Sequence, residues 1–506
     1  MDTLSYWRRT AETPHFPKLS SDINVDVAVI GGGITGVTTA YLLKQRGLKV
    51  ALIERERCGK GDTGSTTAHL TCMPDARLRG VAKDFDRSAA RAVWQAGAMG
   101  ISKIYELVHT LEIDCHFQWV PGVLHAASDD DKKEISDEAN LAAELGIPSE
   151  FRESGPYFGK PSVVFPNQAK FHPLRYLAAL VAHIPGSGSY VFEESGVTEI
   201  TDKPLTIKTS GGTVRSKFVV IATHTPLAGV SSTLGALMFQ TKLAPYSSYV
   251  LGATVSRGTI PSALYWDTAD PYRHLRVESQ GDHDYIIFGG ADHKTGQVLE
   301  TEKRFGELEA DLHRFVPGAL VATRWSGQVI ETSDGLPFIG QTSENQFIAT
   351  GFAGNGMTFG TLSAIMATDF VSGRPNDWAE LFRPGRAKVL GGALTYIAEN
   401  KDFPVHLVCG HLSKDANRNP ESLQSGEGAV IRIEGKHTAI YKDGQGNLHA
   451  CSAVCPHLGC IVGWNVAEKT WDCPCHGSRF HATGEVMAGP AENSLERMEI
   501  ADLKPT

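Results

Sequence analysis

Between Cys455 and Ser478 the chain carries two short runs rich in metal-binding side chains, Cys455-Pro456-His457-Leu458-Gly459-Cys460 and Cys473-Pro474-Cys475-His476-Gly477-Ser478. No other part of the sequence restricts the fold as tightly, because two loops must converge on one centre. Two thiolates with two imidazoles suit either zinc or an iron–sulfur cluster. In such a cluster one iron takes two cysteines and the other two histidines. Replacing two thiolates by neutral imidazoles removes negative charge and raises the potential to roughly −150 to +300 mV. Short apolar runs at 429–433 and 439–441, with turn pairs Asp443-Gly444 and Gly446-Asn447, predict a small all-β domain around these loops.

The paired loops resemble the Rieske family. The resemblance implies a [2Fe–2S] cluster on Cys455, His457, Cys473 and His476, with a disulfide between Cys460 and Cys475 pinning the two loops. It also implies that the Ser478 hydroxyl donates to a cluster sulfide. Where the family often has a tyrosine as second donor, this chain has Phe480, which implies a potential below that of the respiratory members. Cys451 is expected to lie outside the cluster's ligands, and His449 and His481 are expected to be surface histidines.

At 506 residues the chain is too long for one ordinary core. A net charge of −9 argues against nucleic-acid binding, which needs a basic surface to neutralise phosphates. No apolar run approaches the ~20 residues that cross a bilayer, so no transmembrane segment is expected. Arg8-Arg9 is followed by polar Thr10, Glu12 and Thr13 rather than by an apolar export segment. Cytoplasmic localisation is the expectation.

A second constraint lies near the N-terminus, after a polar lead-in at 1–24. Residues 25–30 (VDVAVI) read as a strand buried on both faces, followed by Gly31-x-Gly33-x-x-Gly36, a helical stretch to Arg46, and a second strand at 49–54 (KVALIE) ending at Glu54. In that context the glycines permit a tight turn, close approach of a pyrophosphate and helix–strand packing, and Glu54 is placed to accept from a ribose. The helix start favours phosphate charge. Helices are expected at about 87–110, 130–145 and 361–372, a buried strand at 217–222, and a mixed or antiparallel sheet over 240–330.

Three further segments, 61–69 (GDTGSTTAH), 219–225 (VVIATHT) and 332–340 leading to 351–358 (GFAGNGMT), join the N-terminal fingerprint in a resemblance to the D-amino-acid oxidase, glycine oxidase and sarcosine oxidase family over about 22–384. It implies an α/β Rossmann-like FAD-binding domain interleaved with a mixed or antiparallel substrate sheet. Expected boundaries are FAD-binding segments at 22–90, 165–225 and 325–384, substrate segments at 91–164 and 226–324, a linker at 385–408, and the Rieske domain at 409–506. Ser65, Thr66 and Thr67 should lie along pyrophosphate and flavin, Val197 beside the adenine, and Gly354, Gly356, Met357 and Thr358 over the isoalloxazine ring. There, N–H donors stabilise the reduced flavin. No cysteine stands near 325–334 to make a thioether bond and His69 is out of register with the family's histidine, so FAD is expected to be non-covalent.

The family moves a hydride from the carbon beside an amine to flavin N5. A carboxylate substrate would need a cation, and Arg324, with Arg276 and Tyr249, is the expected positioning set. Arg273, Tyr246, Tyr265, Tyr272 and His274 are possible companions, and Asp292-His293-Lys294 is open between a site cluster and an exposed turn. A two-electron flavin joined to a one-electron cluster implies an amine or amino-acid dehydrogenase serving an external one-electron acceptor. The alternatives are an electron-transfer or redox-sensing protein without turnover, and a reductase in which a donor feeds the cluster and electrons run in reverse.

Overall fold

A computed structural model describes residues 3–225, 242–298, 300–386 and 418–499. The apolar run after the lead-in forms strand β1 (Val27–Ile30), every residue of it buried, and β2 (Val50–Ile53) is buried likewise. Between them runs helix α1 (Ile34–Gln45). These strands lie in a six-stranded sheet ordered Phe338–Ser343, Gln346–Thr350, Phe218–Ile221, β1, β2, Tyr190–Phe192. All neighbours pair in parallel except the first two. Helix α1 and helix α2 (Gly356–Val371) pack together on this sheet, with Val37, Leu43, Phe359 and Leu362 in one core.

Beside it stands a nine-stranded mixed sheet. Its centre is antiparallel: Leu320–Thr332, Leu243–Ser256, His283–Lys294 and His274–Gln280 pair in that order, and Leu264–Asp267, Gln118–His125, Ser162–Lys170 and His69–Leu70 continue it. The sheet expected over 240–330 is therefore present, but it recruits strands from outside that range. Ser162–Lys170, for one, straddles the expected boundary at 165. Helices Arg87–Thr110 and Lys132–Glu144 match the expected ones. The helix expected at 361–372 starts earlier, at Gly356.

The lead-in is less idle than its polarity implies. Ser5 caps a short helix, Tyr6–Thr10, by accepting from the Arg8 N–H, and Trp7 is fully buried. Trp7 donates through Nε1 to the Thr66 carbonyl at 2.5 Å, and Arg8 donates to the carbonyls of Lys60 and Gly61. Arg8 is thus a clamp on the 60–66 loop.

The C-terminal module holds two small antiparallel sheets, one of Gly428–Ile433, Lys436–Lys442 and Leu448–Ser452, the other of Gly463–Asn465, Thr470–Asp472, Arg479–His481 and Val486–Ala488. Trp471 and Phe480 fill the core between them and the paired loops. The expected linker lies outside the described residues except for Gly385 and Arg386. Arg386 is buried and grips Asp334 with Nε and Nη2, at 2.8 and 2.7 Å, so the flavin-side module extends at least that far.

Candidate functional site

Where the six-stranded and nine-stranded sheets meet, a cavity of about 430 Å³ opens. Its floor is the turn after β1. Gly31 has φ +107°, and a side chain there would run into the Ala222 carbonyl; a Cβ on Gly36 would overlap the Gly31 carbonyl. The glycines therefore let α1 start directly behind the turn, with its first residues Ile34 and Thr35 on the cavity wall and the Ile34 N–H donating to the Thr63 hydroxyl at 3.1 Å. Glu54, at the end of β2, accepts from the N–H groups of Gly32 (2.6 Å) and Glu56 (2.8 Å). Burial nonetheless pushes its carboxyl up.

Gly31, Gly33, Glu54, Ser65, Thr66, Thr67, Val197, Gly354, Gly356 and Met357 all line this cavity. Gly36 and Thr358 do not. Gly36 serves helix–strand packing, and Thr358 is buried against Gly100 of the Arg87–Thr110 helix. The 60–67 loop is fixed from outside: Trp325 donates to the Ser65 carbonyl at 2.8 Å, and Asp62 accepts from the Gln328 N–H at 2.7 Å. A glycine-floored cleft with a helix start at its base and a buried carboxylate in its wall fits a dinucleotide such as FAD.

The three residues expected to position substrate are elsewhere. Arg324 lies over the Phe305 ring and is held by both oxygens of Glu302, at 2.7 and 2.8 Å. Arg276 is completely buried, paired with Glu278, and donates to the carbonyls of Thr67, Ala68 and Phe171. Its guanidinium carries the loop, not a ligand. Tyr249 is buried and shares a 2.9 Å hydrogen bond with His293 Nε2. None of the three lines the cavity. Of the companions, Tyr272 and His274 do, and so do Asp75, Asp292, His69 and Gln328. Asp292 resolves the open choice: it lies on the strand His283–Lys294 and faces the cavity rather than a turn. Asp75 and Gln328 carried no signal in the sequence beyond their nearness to the flavin-side segments. His69 is kept neutral, burial pulling its imidazole well below the ordinary value.

In the C-terminal module Cys460 and Cys475 form a disulfide that joins the two loops. Cys455 and Cys473 are buried beside each other, and the imidazoles of His457 and His476 meet edge to face with centroids 4.9 Å apart. Burial brings both histidines down to about 4, so they stay neutral and able to ligate. The Cys455 thiol falls to about 7, chiefly through its hydrogen bond with Cys473. Two buried thiols and two neutral imidazoles on facing loops fit a [2Fe–2S] cluster of mixed ligation. Ser478 is fully buried and accepts from the Ala491 N–H at 2.9 Å. His481, expected to be a plain surface histidine, reaches Glu56 of the flavin-side module at 3.2 Å. His449 pairs with Asp443 at 3.0 Å, and Cys451 is buried apart from the loops against Gly484.

The two sites touch. The cluster loop sits on the mixed sheet: Gln328 donates to the Gly477 carbonyl at 2.9 Å, and Gln297 to the Pro474 carbonyl at 3.2 Å. Gly296, with φ +78°, lies so close that an added Cβ would come within 2.7 Å of the Cys473 backbone. Residues Met487 to Glu492, from the C-terminal module, form part of the cavity wall, and Arg55 donates to the Met487 carbonyl. Among the described residues no helix is long and apolar enough to cross a membrane.

Comparison with known proteins agrees with both halves. Residues 26–370 match the FAD dependent oxidoreductase family, and residues 416–499 match the Rieske [2Fe-2S] domain. YhfW of Bacillus subtilis (strain 168), named as a Rieske 2Fe-2S iron-sulfur protein, is 34% identical over 98% of this chain and 97% of its own. The gamma-glutamylputrescine oxidoreductase of Escherichia coli (strain K12) is 24% identical over 73% of this chain and 89% of its own. The crystal structure of glycine oxidase from Geobacillus kaustophilus superposes with a TM-score of 0.62 at 19% identity, covering 72% of this chain and 99% of that one, which is a likeness of fold. With the cavity, the paired loops and the matches on the same residues, the chain belongs to the FAD-dependent oxidoreductase family and carries a Rieske [2Fe–2S] domain behind it.

Proposed function

We propose that this protein dehydrogenates an amine or amino acid at the flavin and passes the electrons singly, through the Rieske centre, to an external acceptor. The observation that carries the reading is the seating of the cluster loop on the wall of the flavin cavity, where Gln328 both lines that cavity and binds Gly477. A carrier or sensor without turnover would not need the polar chamber that the mixed sheet adds beside the cofactor cleft.

Bound FAD supplies a two-electron acceptor and the cluster a one-electron one. We assign the pyrophosphate to the turn Gly31–Gly36 and the loop Ser65–Thr67, the ribose to Glu54, the adenine side to Val197, and the flavin ring to Gly354, Gly356 and Met357. Cys455, His457, Cys473 and His476 are assigned to the cluster. Arg276 and Trp325 keep the 65–68 loop in place by binding its carbonyls. His69, neutral and facing the cavity, adds no charge beside the cofactor.

Anaerobic mixing of the purified holoprotein with amino acids, N-methyl amino acids and amines tests this, following flavin absorbance and the reduced-cluster EPR signal. Bleaching followed by the cluster signal is expected. If dithionite reduces both centres and no compound bleaches the flavin, amine dehydrogenation is wrong, and a reductase or carrier takes its place.

A further inference from the structure

We infer that the substrate end of the cavity is built for a cationic amine without a carboxylate, the class of alkyl diamines and polyamines, and that Asp75 and Asp292 recognise its ammonium. This rests on the proposed amine oxidation and names its substrate class.

The wall that the mixed sheet contributes holds Ser248, Val250, Trp266, Tyr272, His274 and Asp292, and the 69–77 segment adds His69, Met73 and Asp75. This is the wall beside the segment assigned to the flavin ring: Tyr272 brings its hydroxyl to Gly354, where an added Cβ would be 3.3 Å away. Asp75 and Asp292 face the same chamber; burial makes both harder to ionise, and the Asp75 charge adds to this at Asp292. The Tyr272 hydroxyl donates to Asp75 and the Ser248 hydroxyl to Asp292. Asp292 Oδ1 is buried with no hydrogen-bond partner among the described residues. A buried carboxylate oxygen with nothing to accept from is costly unless a ligand supplies the donor.

The nearby cations are already committed. Arg77 is bound to Glu134 at 2.5 Å, and Arg273 to Asp311 at 2.7 Å and to the Pro271 carbonyl at 3.0 Å. His69 and His274 are neutral, burial bringing the latter to about 4. A substrate carboxylate would therefore enter as a third anion, and both nearby guanidiniums among the described residues already hold an anion. An ammonium would instead satisfy Asp292 Oδ1 and relieve the repulsion between the two carboxylates. Trp266, Met73 and Val250 supply an apolar surface suited to an alkyl stem.

The test is anaerobic titration of the full-length holoprotein with 1,4-diaminobutane and spermidine, against glycine, sarcosine, D-alanine and L-proline, reading flavin absorbance and thermal midpoint. The diamine and polyamine should bleach the flavin and raise the midpoint at concentrations where the amino acids do neither. Asp292→Asn and Asp75→Asn should each raise the diamine concentration required by about tenfold or more. FAD content and reduction by dithionite should not change, and Asp292→Glu should restore part of the affinity. Bleaching by amino acids at lower concentrations than by diamines overturns the substrate class and leaves amine oxidation standing. Unchanged diamine titrations in both Asn variants overturn the assignment of the two aspartates. No bleaching by any compound, with dithionite still effective, overturns both readings together.

Discussion

At the scale of single residues, the aspartates of the cavity place a load on the empty fold. Burial raises Asp75 and Asp292 from the ordinary 3.8 to about 6. A carboxyl whose value rises on folding contributes stability that is complete below about 3.8 and is lost as the pH climbs through about 6. With one pKa unit worth about 1.4 kcal/mol, each such carboxylate costs the unliganded fold as much as about 3 kcal/mol at neutral pH. Asp292→Asn should therefore raise the melting temperature of flavin-free protein at pH 7.5, and the gain should vanish near pH 4, as scanning calorimetry can check. In the Rieske domain the relevant group is a hydroxyl that is missing. Phe480 is fully buried and Ser478 is left as the hydroxyl near Cys455. Ser478→Ala should lower the midpoint potential and Phe480→Tyr should raise it, as read by redox titration of the EPR signal. Ligand residues are legible at this scale because their spacing is chemistry written along the chain. Arg324 misled because its partner Glu302 stands on another element, and charge satisfaction across elements leaves no trace in sequence.

At the scale of elements, what could be read were the segments whose composition leaves one choice. β1 and β2 are apolar on both faces because both are covered, and they appear as unbroken aliphatic runs. The five-residue helix Tyr6–Thr10 is too short for any period to show, so a clamp on the cofactor loop passed for a polar lead-in. Two changes test how elements hold the cleft. Gly36→Ala would force α1 away from the Gly31 turn, with an overpacking cost of about 1–3 kcal/mol, and the ratio of flavin to protein absorbance in the purified variant should fall. Arg386→Met would leave Asp334 buried without its partner, a loss of about 3–5 kcal/mol measurable by urea unfolding.

At the scale of the whole molecule, the docking of the two modules was invisible in the sequence, since each side reads as an ordinary surface of its own domain. Gln328, Gln297 and Gly296 acquire meaning only against Gly477, Pro474 and Cys473. If electrons cross here, Gly296→Val should leave the rate of flavin bleaching by substrate intact while slowing the appearance of the reduced-cluster signal in stopped-flow and freeze-quench measurements. Equal rates in variant and parent would mean that the centres exchange electrons by another route.

The wall formed by Met487 to Glu492 has one more consequence, and it concerns the order in which the protein is made. The glycine-floored turn leaves the ribosome well before the residues that complete the cleft it belongs to. Until the C-terminal module has folded and settled, that part of the wall is missing. A chain cut short before residue 487 would be synthesised with its nucleotide fingerprint whole and one wall of the cleft missing, and it should hold flavin less tightly than the parent.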